Sequence, residues 1–263
     1  MEESPYLLDN RRDEAGERFE ALAALYDPIS VRHFDTLGAG EGWRCLEVGA
    51  GGGSVVRHLA DRVGPSGRVL ATDIEPRFLE PLRDLDNVEV ARHDIAADPL
   101  PEAEFDLIHA RLVLVHVPER LVAIGRLVQA LRPGGWLLIE DADATAPHSC
   151  LDPQTDDEHL ANRMRDGIAA MLEAQGVDRT FARKVPRLLL AEGLVDIAGD
   201  GYLPLSGEVR RLERANALQL QDQFLQQGIV TKEEFGHFLA LLDDPTFVLA
   251  GIPLLSTWGR APA

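Results

Sequence analysis

A chain of 263 residues with 45% hydrophobic and 27% charged residues has enough apolar content for a sizeable core, and is long enough for one large α/β domain or two small ones. Its formal net charge of −18 repels phosphate backbones and anionic lipid, which argues against nucleic acid as a substrate and against a membrane surface as a partner. Two cysteines, Cys45 and Cys150, are too few for a disulfide framework, and the acidic N-terminus has no apolar signal core; both suit a reducing cytoplasm.

Residues 11–26 place Phe19, Leu22, Ala23, Leu25 and Tyr26 at helical spacing, and the pattern stops at Asp27-Pro28. A second short helix is predicted to about Leu37. The texture then changes to short apolar runs separated by turn residues. Strands are predicted at 43–48, 68–73, 88–94, 105–110 and 136–141, with helices at 54–63, 76–85 and 119–131 between them. Strand and helix alternate at intervals of roughly 20–30 residues, which predicts βαβ units and a parallel sheet. After Asp141 the rhythm breaks. A polar loop over 142–160 leads to helices near 160–175 and 180–192, a strand at 194–200, helices at 207–226 and 231–243, and a last strand within 246–260. The late helices lie between two strand candidates, so they are an excursion from the sheet. The expected organisation is one domain over 1–263, with an N-terminal helical cap (1–40), a core (41–145) and the rest of the sheet (146–263) carrying a helical insertion at about 201–245.

The run from Glu47 to Ser54, Glu-Val-Gly-Ala-Gly-Gly-Gly-Ser, joins the first strand to the first helix of this core. A P-loop requires Gly-Lys-Ser/Thr, and here Ser54 follows Gly53 with no lysine. The dinucleotide fingerprint fits Gly49 and Gly51, but its sixth position is Ser54. The run resembles motif I of the class I S-adenosylmethionine-dependent methyltransferases. Four further blocks resemble that family in order: Asp73 in "VLATDIEP", Asp94 in "VARHDI", "FDLIHARLVLVHV" at 105–117, and "LRPGGWLLIED" at 131–141. The resemblance covers residues 15–145. It implies a Rossmann-like, doubly wound, seven-stranded and mostly parallel sheet with a C-terminal antiparallel strand and a helical cap.

The resemblance also assigns roles. S-adenosylmethionine would lie along the backbone of Gly49, Ala50, Gly51 and Gly53, where a Cβ would clash. The start of the helix at Ser54 would favour its carboxylate, and Glu47 would reach its ammonium. Asp73, with Ile74 beside it, would take the ribose hydroxyls; Asp94 would meet the adenine amino group, with Ile95 packed on the ring. Ala110 and Arg111 would pass the methionine end. S-adenosylhomocysteine would be the product. Three of these residues have a plainer alternative: Asp73 as a helix cap near Pro76, Asp94 as a turn residue, and Arg111 as the partner of a surface acid.

The acceptor is less legible. "ARLV" stands where amide- and base-methylating relatives carry Asn-Pro-Pro-Tyr, and no Pro-Cys pair appears, so DNA and protein-glutamine methylation are not expected. Asp141 and Asp143 follow the fifth strand without downstream metal partners, so no metal is expected. His116 and His33 are the candidate bases for an acceptor proton, with His148 in the loop after the fifth strand a further one. Tyr26, Phe34, Met164, Met171, Phe181 and Phe224 suit a pocket for a small, partly apolar metabolite, as in members that tailor natural products. The expected partner is therefore a small-molecule acceptor, with no nucleic acid and no membrane, for a monomer or homodimer. A same-fold enzyme that binds the cofactor but catalyses a cyclisation is the alternative; a nicotinamide-dependent dehydrogenase is disfavoured by Ser54 and the "LRPGG" block.

Overall fold

A computed structural model describes residues 7–8, 15–145, 149–150, 152–205 and 207–263. Seven strands, β1 (Arg44–Val48), β2 (Arg68–Asp73), β3 (Val88–Arg92), β4 (Phe105–Arg111), β5 (Leu131–Ala142), β6 (Val195–Tyr202) and β7 (Leu254–Arg260), form one sheet in the order β3-β2-β1-β4-β5-β7-β6. The first five pair in parallel, and β7 runs antiparallel to both neighbours. The eight helices among the described residues are α1 (Ala15–Leu37), α2 (Ser54–Val63), α3 (Arg120–Ala130), α4 (Asp156–Ala174), α5 (Phe181–Ala191), α6 (Gly207–Gln219), α7 (Gln221–Gln226) and α8 (Lys232–Asp243). None is long and apolar enough to cross a membrane.

The near-continuous apolar runs of β1 and β4 follow from burial on both faces. On one face Phe34 and Leu37 of α1, with Val55, Val56 and Leu59 of α2, cover Cys45, Ala71, Leu107 and Leu138. On the other, Ile124 and Leu127 of α3 and Phe181, Val185 and Leu189 of α5 cover Leu46, Ile108, Leu137 and Ile139. A third cluster forms the cap. Leu25 and Tyr26 of α1 pack with Met164 and Ile168 of α4, Leu212 of α6, Phe224 of α7, and Phe235 and Phe238 of α8. Helices α6 to α8 leave the sheet after β6 and return to it at β7, as the sequence predicts.

The structure differs from the sequence expectation at four places. Helix α1 does not stop at Asp27-Pro28; it runs through Pro28 to Leu37. Proline removes one intrahelical bond, but Leu25 and Tyr26 are held in the cap and Phe34 under the sheet, and this packing outweighs the local preference. The helix predicted at 76–85 is a 3-10 segment, Pro76–Leu82, with Pro81 inside it. Strand β5 begins at Leu131 rather than after the "RPGG" turn, with a register irregularity opposite Phe105 and Leu107. The six apolar residues assigned to one pocket separate: Phe34 and Phe181 fill opposite faces of the sheet, while Tyr26, Met164, Met171 and Phe224 belong to the cap.

Candidate functional site

Because β3, β2, β1 and β4 are adjacent and parallel, their C-terminal tips form one rim. The glycine loop, Asp73, Asp94 and Arg111 all lie on it. After Val48 the chain turns through residues 49–53 into α2. Gly51 has φ +53° and donates its N–H to Asp73 Oδ2 at 2.9 Å. Asp73 Oδ1 accepts from the N–H of Glu75 at 2.9 Å, so one carboxylate at the tip of β2 ties the loop to the following turn. Asp73 is 6% exposed. Burial pushes its carboxyl above the usual range, and the N–H groups of Glu75 and Gly51 pull it back. Gly53 has φ +77°, and a Cβ there would stand 2.6 Å from Leu82 Cδ1. Side chains of the protein itself stand where Cβ atoms of the loop would point: Phe19, whose ring would meet a Cβ on Gly51 at 2.9 Å, and Val113 against Gly49.

Beyond β3, Asp94 Oδ1 accepts from the N–H of Ala96 at 2.9 Å, and its own N–H donates to Asp98 Oδ2 at 2.8 Å. Ile95 is buried and packs in the cluster under α3 and α5, while Ile74 is half-buried. At the end of β4, Ala110 is buried, and Arg111 bonds Asp27 Oδ1 at 2.7 Å and Ser30 Oγ at 2.9 Å. Asp27 also accepts from Ser54 Oγ at 3.1 Å, so an acid from α1 reaches the start of α2.

A row of polar groups lies behind the loop, on the face covered by α1. Glu47 Oε2 faces His109 Nδ1 at 2.7 Å, and His109 Nε2 faces Glu140 Oε2 at 3.0 Å. Glu140 Oε1 faces His33 Nδ1 at 2.7 Å and accepts from Ser256 Oγ at 2.9 Å. Its Oε2 also takes the hydroxyl of Ser30. His33 Nε2 meets Asp200 Oδ1 at 3.1 Å. Glu47, His109, Glu140 and His33 are all buried. Flanking carboxylates push His109 up to about 9 against the cost of burial, and hydrogen bonds from the two histidines hold Glu140 well below the carboxylate range, also against burial.

The candidate bases are placed differently from one another. His33, a candidate base in the sequence, is 1% exposed and enclosed between Glu140 and Asp200. His116 ends a 3-10 turn, Leu114–His116, after β4; burial lowers it to about 4, helped by the nearby cations Arg18 and Arg120. His148 lies outside the described residues. Asp141, buried at the end of β5, accepts from the N–H of Val115 at 3.2 Å through Oδ2, while its Oδ1 has no partner. Burial pushes it up to about 8. Asp143 is held by Arg183 at 2.7 Å. No group of three or more His, Cys, Asp or Glu among the described residues is arranged to hold a metal ion.

Sequence reasoning missed Asp27, Ser30, His109, Glu140 and Ser256. The one available signal was a histidine and a glutamate inside otherwise apolar strands, since buried charges require partners.

The rim carries the acids Asp73 and Asp94, and residues 49–53 of the glycine loop include no Lys or Arg. Carboxylate acceptors fit a ribose diol, an amine and an adenine amino group better than a phosphate. Residues 46–139 match the family model described as a methyltransferase domain. The chain is 37% identical over 158 residues to methyltransferase str2 of Strobilurus tenacellus, covering 58% of this chain and 53% of that protein. It is 31% identical over 150 residues to the ubiquinone/menaquinone biosynthesis C-methyltransferase UbiE of Laribacter hongkongensis, covering 49% of this chain and 62% of that one. The chain thus spans about half the length of the first curated relative, and under two thirds of the second. Among solved structures, a SAM dependent methyltransferase from Aquifex aeolicus aligns over 95% of this chain and 99% of its own, with TM-score 0.53 at 17% identity.

Proposed function

We propose that the chain, whose residues 46–139 match a methyltransferase domain model and whose fold aligns with a SAM dependent methyltransferase, binds S-adenosylmethionine along the rim of β1 to β4 and methylates a small, partly apolar molecule. The cofactor supplies a methyl group already activated on a sulfonium centre. The protein's part is to fix donor and acceptor in line and to exclude water. In this reading Asp73 takes the ribose hydroxyls with the lone pairs left after its bonds to Gly51 and Glu75. Asp94 and Ile95 hold the adenine, Ile74 packs beside the ribose, and Glu47 meets the ammonium. Ala110 and Arg111 bound the methionine end. In this reading the acceptor enters between the tips of β4 and β5 and the cap.

The observation that carries the reading is the Gly51 N–H to Asp73 link, which makes the glycine loop and the second-strand acid one binding unit with no lysine for a phosphate. Oxygen, nitrogen and carbon acceptors are all compatible with it; the name of the Laribacter relative supports carbon among them. His116, neutral at pH 7 with its pKa at about 4, is suited to orienting an acceptor and only weakly to removing its proton. His33 has no such role. We place the enzyme in the cytoplasm, as a monomer or homodimer in one domain, away from nucleic acid and membrane.

Thermal denaturation with S-adenosylhomocysteine and with NAD tests the cofactor: stabilisation by the first alone is expected, and by NAD alone would overturn the reading. Incubation of the protein with labelled S-adenosylmethionine and a metabolite extract, followed by mass identification of the product, tests the reaction. Binding without transfer would favour the cyclisation alternative.

A further inference from the structure

His109 stands between two carboxylates inside the sheet. A neutral imidazole has one donor nitrogen and one acceptor nitrogen. Here both nitrogens face carboxylate oxygens, Glu47 at 2.7 Å and Glu140 at 3.0 Å, so with both acids ionised both nitrogens donate. The ring is then an imidazolium, the form the flanking carboxylates favour by pushing it up to about 9 against burial. Its side chain is fully buried, and the centroid of the Phe34 ring lies 5.2 Å from its own, the two rings nearly perpendicular.

Burial pushes the Glu47 carboxyl above its usual range, and the His109 imidazolium beside it is the first group to pull it back. Arg111 is the nearest alternative, but its guanidinium is committed to Asp27 and Ser30. Glu140 adds a second negative charge across the ring, stabilised from α1 by His33 and Ser30 and from β7 by Ser256. Asp200 of β6 closes the row beyond His33. Oε2 of Glu47 is used by His109, which leaves Oε1 for a ligand.

We propose that His109 is a positioning residue for the cofactor: its imidazolium keeps Glu47 ionised and turned along β1, so that the carboxylate can hold the ammonium of the methyl donor. This rests on the cofactor assignment above. His109 acts only through Glu47. Replacing it by a neutral side chain lets Glu47 take up a proton, and the ammonium then loses its counter-charge as the pH falls.

The test is calorimetric binding of S-adenosylhomocysteine between pH 6 and 8.5, using the native protein, His109→Gln, Glu47→Gln and the double variant. Between pH 8.5 and 6, the affinity of His109→Gln is expected to fall at least tenfold more than that of the native protein. At pH 6 it should converge on the affinity of Glu47→Gln, and the double variant should bind no more weakly than Glu47→Gln alone. A purely structural histidine would weaken binding equally at every pH and add to the Glu47→Gln loss; either result overturns the proposal. Ring 15N resonances of His109 in the native protein give a second reading if His109→Gln does not fold. Imidazolium shifts at pH 7 support the proposal and neutral shifts overturn it. A native protein that does not bind S-adenosylhomocysteine at all would overturn the cofactor assignment instead.

Discussion

Asp73 and Asp141 are both buried acids at strand tips, yet the structure gives them opposite consequences. Asp73 accepts backbone N–H bonds from Gly51 and Glu75 at the rim, where the proposed cofactor would lie. Asp73→Ala should weaken S-adenosylhomocysteine binding by tenfold or more, about 1.4 kcal/mol, read by calorimetry; an unchanged affinity would remove it from the site. Asp141 lies in the apolar layer beside the turn after β4, with Oδ1 unpaired. Its carboxyl ionises near ~3.9 when unfolded and at about 8 when folded. Between those values the native state holds a proton that the unfolded chain has released, so stability falls as pH rises from ~4 towards 8 and levels off above. Asp141→Asn should remove that slope, gaining ~1–3 kcal/mol over the native protein between pH 5 and 8 in urea denaturation. A parallel pH dependence in both proteins would contradict it. Asp73 was legible from its place after the second strand. The His109–Glu47–Glu140 row was not, because its partners come from β1, β4 and β5, and no local pattern specifies that register.

At the scale of elements, β1, β2 and α2 were legible because turn glycines bracket apolar runs with the right period, and their bounds fall within a residue of expectation. Helix α1 and the 3-10 segment were misread in opposite ways: Pro28 was taken to stop a helix that tertiary packing carries through, whereas Pro81 was passed over inside a segment that forms 3-10 turns instead. In α1 the anchors are Tyr26, whose hydroxyl donates to Ile252 O at 2.9 Å, and His33 on Glu140 at 2.7 Å, one on each side of Pro28. The loop into α2 obeys local geometry more strictly. Gly53→Ala would force a Cβ into a left-handed backbone and against Leu82 and Leu79. A loss of about 2–4 kcal/mol is expected in chemical denaturation, with cofactor binding weakened through the displaced loop. A loss below ~0.5 kcal/mol would mean that the loop relaxes freely.

For the whole molecule, the net charge of −18 sets the solution behaviour. Like charges spread over the surface oppose compaction and are screened within ~3 Å at 1 M salt. Raising NaCl from ~0.02 to ~0.5 M should therefore raise the melting temperature by a few degrees. A fall would show that surface ion pairs such as Arg163 with Glu234 outweigh the general repulsion. A seven-stranded, mostly parallel sheet with a C-terminal antiparallel strand was expected from the family resemblance, and the order of its strands has a consequence for synthesis. Strand β7 lies between β5 and β6 but follows both in the chain. While residues 254–260 are still inside the ribosome, the edge of β5 from Trp136 to Ala142 stays open, and β6 has no neighbour to pair with. A nascent chain held in this state presents an unpaired apolar edge to other nascent chains. Slower translation of the last codons should thus lower the soluble yield, whereas extra time earlier in the message should not.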